Sequence, residues 1–432
     1  MLESQRYKTI LNEVFSEQSK FELQLKVERE LADANFQVGK IPKEANDLIQ
    51  KRCTPEFVKL GRVKEIEKDI HHDIMSLVKA IAEQCGDYGG YIHLGATSYD
   101  VQDTVRGLQL AKSKETILET IKKTIEIVAD LAKEHKNLVC IGRTHGAHAV
   151  PTTYGMKFGN FLNELILAKE TLQSARVDFG KMSGAVGTYA SFGNKDVEEI
   201  VLDKLGLEKQ PITTQVITRV IISKYVYALG LIATVLDHFA REIRNLQRTE
   251  IDELRESFTS KQVGSSTMPQ KRNPEKSERI CGLARVIRGH IQTSLDNVCL
   301  EHERDLTNSS SERIILAEVS ILTHYILLQM NSILSSLSFN LEKITENLYL
   351  KNGAQCAENL MLKMTDKIGR QKAHELLKHL SAEKDFLSTV KNNETIRKHF
   401  SIEEIEIILN PKLYTGLAAK IVEDLVSSVK SK

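Results

Sequence analysis

Tryptophan is missing from this chain and proline is scarce, seven among 432 residues. Long stretches therefore run without the residue that most reliably breaks a helix. Strand signals are equally sparse. Alternating Val/Ile/Thr runs joined by Asn-Gly or Asp-Gly turns do not occur, which argues against a β-rich fold. The six cysteines (Cys53, Cys85, Cys140, Cys281, Cys299 and Cys356) are far apart and form no C-x-x-C pair, which argues against a zinc site or a disulfide framework. An excess of either charge is also lacking. With 59 basic and 58 acidic residues the net charge is +1, and no basic arm or stripe suits nucleic acid. Charges begin at Glu3, and no apolar run reads as long enough to cross a bilayer. Neither a signal peptide nor a membrane anchor is expected. Scattered thiols without an export signal fit a reducing, cytoplasmic setting.

What is present is helical periodicity. Residues 219–257 contain no proline and a single glycine, and Tyr225, Leu229, Ile232, Leu236, Phe239, Ile243 and Leu246 step by alternating fours and threes. That spacing lays an apolar seam along a helix packed lengthwise on others. Similar patterns cover 101–135, 153–179, 274–300 and 308–348, so five long helices are expected to form a bundle in an all-α protein. Breakers divide the chain into an N-terminal helical domain (1–95), a central long-helix domain (96–348) and a C-terminal helical domain (349–432). Seams this long suggest that several subunits share one core.

Four polar constellations lie at the expected helix ends. His93-Leu94-Gly95-Ala96-Thr97-Ser98-Tyr99-Asp100 places small hydroxyls at a helix start, where they cap it or bind anions. Gly142-Arg143-Thr144-His145-Gly146-Ala147-His148 gathers two imidazoles and a guanidinium between glycines, and histidine moves protons near neutral pH. Gly264-Ser265-Ser266-Thr267-Met268-Pro269-Gln270-Lys271-Arg272-Asn273-Pro274 sets two hydroxyls beside a cation pair, in a loop whose glycine lets backbone N–H groups approach a ligand. Between Glu301 and Arg313, Arg304 and Arg313 flank four hydroxyl residues, a pattern suited to phosphate or carboxylate. Each could also be an ordinary capped helix start or a polar loop, and taken singly the first would be read that way.

Taken together, Thr97-Ser98-x-Asp100, Gly142-Arg143-Thr144-His145-Gly146 and Gly264-Ser265-Ser266-x-Met268-Pro269-x-Lys271 resemble the three signature regions of the fumarase/aspartase superfamily. Within it, Lys271-Arg272-Asn273-Pro274, Lys181-Met182-Ser183-Gly184 and Glu303-Arg304-Asp305 with Ser309 and Arg313 are most similar to the adenylosuccinate lyases. The resemblance implies a three-domain all-α subunit whose central helices assemble a homotetramer, with each active site built from three subunits. It implies a C–N lyase of purine biosynthesis that needs no metal or organic cofactor. Such an enzyme releases fumarate from adenylosuccinate, giving AMP, and from the succinylated aminoimidazole carboxamide ribotide (SAICAR, giving AICAR).

By the same resemblance Ser265 would be the base and His145 the acid, with Lys271 and Asn273 on the fumarate-forming carboxylates. His72 would orient the substrate or tune His145, between His71 and Asp73. Thr97, Ser98 and Gln215 would position the succinyl end, with Ser266 and Met268 in the loop that closes over it. Arg6, Tyr7, Arg279, Arg304, Ser309 and Arg313 would hold the nucleotide end. The chain departs from the family pattern at Tyr99, at Ile70 and His71, and at Val220, positions that bear on the shape of the substrate pocket. Carboxymuconate cycloisomerases share the Lys-Arg-Asn-Pro ending but usually lack a histidine where His145 stands. A sister lyase acting on another substituted succinate remains an alternative. A scaffold without activity would be free to lose Ser265, His145 or Lys271, and all three are present.

Overall fold

The structure is a computed structural model that describes residues 4–257, 267–268, 270–383 and 385–430. Helix dominates. The described residues form eighteen α-helices, four short 3-10 turns and six short strands joined in three pairs.

The five long helices appear as Ser98–Glu134, Tyr154–Ser174, Arg219–Leu246, Glu275–Asp296 and Thr307–Leu334. Two expected spans prove too long, for local reasons. The 219–257 pattern stops at Leu246, where Arg248 N–H and Asp252 N–H turn back onto carbonyls and Asp252 takes a positive φ. The 308–348 pattern is cut at Leu334. Ser336 bonds back to the Ser332 carbonyl, Ser338–Phe339 pairs with Leu254–Arg255, and Asn340 caps a separate helix, Leu341–Tyr349.

Arg219–Leu246 and Thr307–Leu334 are apolar enough to cross a bilayer by length and composition, which corrects the sequence expectation. Two-thirds of each apolar window is buried inside the protein, as in the core helices of a folded domain.

The chain packs into two compact units, each assembled from three separated stretches. The first comprises Met1–Thr120, Ala168–Thr234 and Leu283–Leu327. In it Phe21, Leu25, Leu31, Ile49, Ile74 and Leu77 form one core with Val101, Phe192 and Val201. Each such side chain contributes about 1.5–3 kcal/mol on burial. A buried ionic network lies in the same unit. Arg219 donates to Asp103 at 2.7 and 2.8 Å and to Glu312 at 2.9 Å, and Arg106 donates to Glu312 at 2.6 Å. Asp100, fully buried, pairs with the equally buried Lys181 and accepts the Ser183 N–H at 3.0 Å.

The second unit comprises Ile121–Leu167, Val235–Gly282 and Leu328–Lys432. Phe161 stacks on Phe239 at 4.1 Å, and Phe339 packs on His135 and Tyr154. Cys356, Leu360, Met364, Phe386, Val390 and Ile405 gather a smaller helical core near the C-terminus.

Candidate active site

His145 sits at the tip of a β-hairpin that sequence periodicity did not reveal. Val139–Thr144 pairs with Ala147–Thr153, leaving His145-Gly146 as a two-residue turn. Both turn residues have positive φ, 54° and 78°, the combination that matches hairpin twist. A bulge between Ile141 and Arg143 re-aims the strand just before the turn, and a side chain at Gly142 would meet the Val150 carbonyl at 2.7 Å. The imidazole of His145 is exposed.

Beneath this turn lies a fully buried carboxylate. Glu253 accepts from Arg143 Nη2 at 2.5 Å, Tyr154 Oη at 2.8 Å and Asn347 Nδ2 at 2.9 Å. Burial and the neighbouring Glu253 push the Tyr154 hydroxyl up, so it stays a donor. His148, opposite Arg143 in the hairpin, is held below the usual histidine range by burial and by the Arg143 charge.

Ser265 and Ser266 lie outside the described residues. The end of that loop is visible in the same unit. Lys271 is exposed and its N–H donates to the Met268 carbonyl. Met268 is exposed, and Asn273 and Arg279 are half-buried. Glu256 receives the Ser277 N–H at 2.7 Å and the Lys276 N–H at 3.3 Å, capping the helix that carries Arg279.

In the first unit His71, at φ 53°, ends the helix Leu60–Ile70, and His72 caps the next, Asp73–Cys85. His72 Nδ1 accepts the Met75 N–H at 3.2 Å, so the neutral ring carries its proton on Nε2. Asp73 accepts from Gln102 at 2.8 Å and from Arg313 at 2.9 Å. Burial opposes ionisation of Asp73, but the hydrogen bonds from Arg313 and the Ile74 N–H outweigh it and hold the carboxyl below its usual range. Lys20 is pushed down to about 8, first by burial and then by the Arg313 charge.

A second cluster in this unit gathers residues far apart in sequence. The Tyr99 ring lies 3.5 Å from the Arg304 guanidinium, and its hydroxyl donates to Ser309 Oγ at 3.0 Å. Arg304 Nη1 donates to Gln215 Oε1 at 2.9 Å, while its Nε and Nη2 are buried with no partner among the described residues. Thr97 N–H donates to Asp100, which fixes the start of the helix that Ser98 opens. Tyr7 packs edge-on against Tyr325 at 5.1 Å, and Arg6 beside it is exposed. No group of three or more His, Cys, Asp or Glu side chains among the described residues is placed to hold a metal.

The first unit thus brings His72, Asp73 and Arg313 together, and separately Gln215, Arg304 and Ser309. The second carries His145, Lys271, Asn273 and Arg279. Residues 4–289 match the family described as Lyase, and residues 353–425 match Adenylosuccinate lyase C-terminus. Over 430 residues the chain is 47% identical to adenylosuccinate lyase of Pyrococcus abyssi, covering 97% of this chain and 95% of that one. The chain belongs to the adenylosuccinate lyase family. It is also 41% identical to the adenylosuccinate lyase of Aquifex aeolicus over 409 residues, covering 93% of each chain. Among solved structures, a fumarate lyase from Mesorhizobium sp. BNC1 superposes with a TM-score of 0.89 at 27% identity, covering 96% of this chain and 97% of the other. The 3-carboxy-cis,cis-muconate lactonizing enzyme of Pseudomonas putida gives 0.88 at 28% identity, covering 98% and 97%.

In this adenylosuccinate lyase family member, motif reading passed over Glu253, Gln102 and Lys20. Glu253 lies in a short acidic stretch and gains its meaning from Arg143, 110 residues earlier in the chain, and from Tyr154 and Asn347. A sequence signal for the hairpin did exist: Val139-Cys140-Ile141 and Val150 to Thr153 flank a central His-Gly. Of the departures from the family pattern, Val220 is exposed, and the charge of its neighbour Arg219 is met by Asp103 and Glu312.

Proposed function

We propose that the chain cleaves adenylosuccinate to AMP and fumarate, and the succinylated aminoimidazole carboxamide ribotide to its amide and fumarate. The observation that carries this reading is near-full-length similarity to adenylosuccinate lyases, at 47% identity to one of them. Fold alone does not choose the substrate, since a muconate lactonizing enzyme superposes almost as well.

The reaction is a β-elimination. A base removes the proton on the carbon beside a succinyl carboxylate, and the C–H electron pair collects on that carboxylate. The pair then forms the C=C bond of fumarate as the C–N bond breaks, and an acid protonates the departing nitrogen. In this reading Ser265 takes the proton and His145 gives one to the nitrogen. A serine is a weak base until its alkoxide is stabilised, and Lys271 with loop N–H groups supplies that field once water is excluded. Lys271 and Asn273 hold the carboxylate on which charge collects, and Thr97, Ser98 and Gln215 position the succinyl end. Arg6, Tyr7, Arg279, Arg304, Ser309 and Arg313 face the nucleotide end, while His71, His72 and Asp73 orient the substrate. The Arg304 guanidinium supports the nucleotide role, because two buried donors without a partner invite an anion.

The working assembly in this reading is a cytoplasmic homotetramer whose active sites draw on more than one subunit. The test is a spectrophotometric assay of purified protein with adenylosuccinate, following the appearance of fumarate and AMP. Turnover supports the reading. A folded oligomer that leaves adenylosuccinate intact redirects it to a sister lyase of another substituted succinate.

A further inference from the structure

We propose that Tyr99 is a positioning residue that presents Arg304 and Ser309 as one receptor for a phosphate monoester. It thereby sets the preference for a phosphorylated ligand over its dephosphorylated counterpart. The proposal rests on the reading above, in which the ligand is a mononucleotide.

Three observations carry it. First, the Tyr99 ring covers the Arg304 guanidinium at 3.5 Å while Gln215 takes Nη1 at 2.9 Å, so the group is fixed in both plane and rotation. Second, the edge left over is Nε with Nη2, both buried and both without a partner among the described residues. That edge is a two-pronged donor whose spacing matches two oxygens of one tetrahedral anion, and leaving it empty is costly. Third, the Tyr99 phenol donates to Ser309 Oγ at 3.0 Å. A serine that accepts keeps its own hydrogen to give onward, so the same ring that orients the fork also orients a third donor.

The ring is itself held. Arg219 lies over it at 5.8 Å, with its charge already met by Asp103 and Glu312. A small residue at position 99 could neither cover a guanidinium nor reach Ser309. The same anion chemistry could come from a succinyl carboxylate, and the test separates the two sources.

Calorimetric titration of the full chain with AMP, adenosine and fumarate reads the receptor directly. Tyr99→Leu should weaken AMP binding about tenfold and leave adenosine and fumarate within about twofold. Tyr99→Phe keeps the stack but loses the phenol, so its loss for AMP should be smaller, about threefold. In turnover of adenylosuccinate, the Tyr99→Leu loss should fall on KM and spare kcat. Circular dichroism checks the fold, and if Tyr99→Leu fails to fold, the Tyr99→Phe titration decides. Unchanged AMP affinity in the folded variants overturns the proposal, as does failure of the native chain to bind AMP. An equal loss for adenosine overturns it by showing mere pocket collapse, and a loss for fumarate instead overturns the phosphate assignment. Turnover is read separately: a native chain that binds AMP with the expected Tyr99 dependence yet does not cleave adenylosuccinate supports the receptor and sinks only the catalytic reading.

Discussion

Arg143 Nη2 lies 2.5 Å from Glu253 Oε1, and the carboxylate it meets has no exposure to solvent. Only Thr144 separates Arg143 from His145, so the ion pair anchors the hairpin close to its tip. Glu253→Gln removes the charge but keeps the shape, leaving Arg143 nearly buried without its counter-ion. Thermal and urea unfolding should show a loss of about 3 kcal/mol. If His145 works as proposed, kcat should fall more than KM rises. A variant as stable as the native chain would show that the charge is not what holds the hairpin.

The Asp100–Lys181 pair is suited to a double-mutant cycle. Neither side chain has any solvent exposure, and Asp100 also accepts N–H groups from Thr97 and Ser183. Lys181→Met alone should cost about 3–5 kcal/mol by stranding a buried carboxylate. Adding Asp100→Asn should recover part of it, giving a coupling energy of about 1–3 kcal/mol. Strict additivity in urea melts would mean that the two groups do not sense each other.

His93 gives stability a pH dependence with a definite sign. Its Nδ1 lies 2.7 Å from Glu28 Oε1. Burial lowers the imidazole pKa, but the Glu28 charge and hydrogen bond outweigh it and leave the group above its ordinary value of 6.5. A raised folded pKa stabilises the native state fully below the unfolded value and is lost as pH rises through the folded one. Unfolding free energies measured from pH 6 upward should therefore fall across that window. His93→Gln should flatten this part of the profile, and a mutant profile parallel to the native one would refute the assignment.

Ser265→Ala should lower kcat by about a thousandfold or more, with the circular dichroism spectrum and oligomeric state unchanged. Near-normal turnover would remove serine from the role of base.

Arg313→Ala should act mainly on binding. Asp73 then loses a hydrogen bond and a charge that favour its ionised form. KM for a phosphorylated substrate should rise about tenfold or more, whereas an unchanged KM would place the phosphate elsewhere.

The long helices were legible because their apolar residues recur with a period that only a helix brings to one face. Tyr225 to Leu246 is the clearest case, and every residue of that seam is buried. Helix ends were less legible where serine, asparagine or a short strand pair decides them, as at Ser336 and Asn340. The proposed site residues could be picked out by motif, but their neighbours could not. Arg304 gains its orientation from Tyr99 and Gln215, 205 and 89 positions away in the sequence, and such juxtapositions belong to the packed chain. The His145 hairpin is less legible because its turn uses His-Gly where Asn-Gly or Asp-Gly is the usual signal.

That turn makes position 145 answer to two selections at once. As the proposed acid, the side chain must supply an exposed imidazole, and the backbone must accept a left-handed bend that most residues with a Cβ resist. Histidine is one of the few side chains able to meet both. Alanine there would disturb the bend as well as delete the ring, so its effect on rate would mix geometry with chemistry. Asparagine, at home in the same backbone region, is the substitution that isolates the proton.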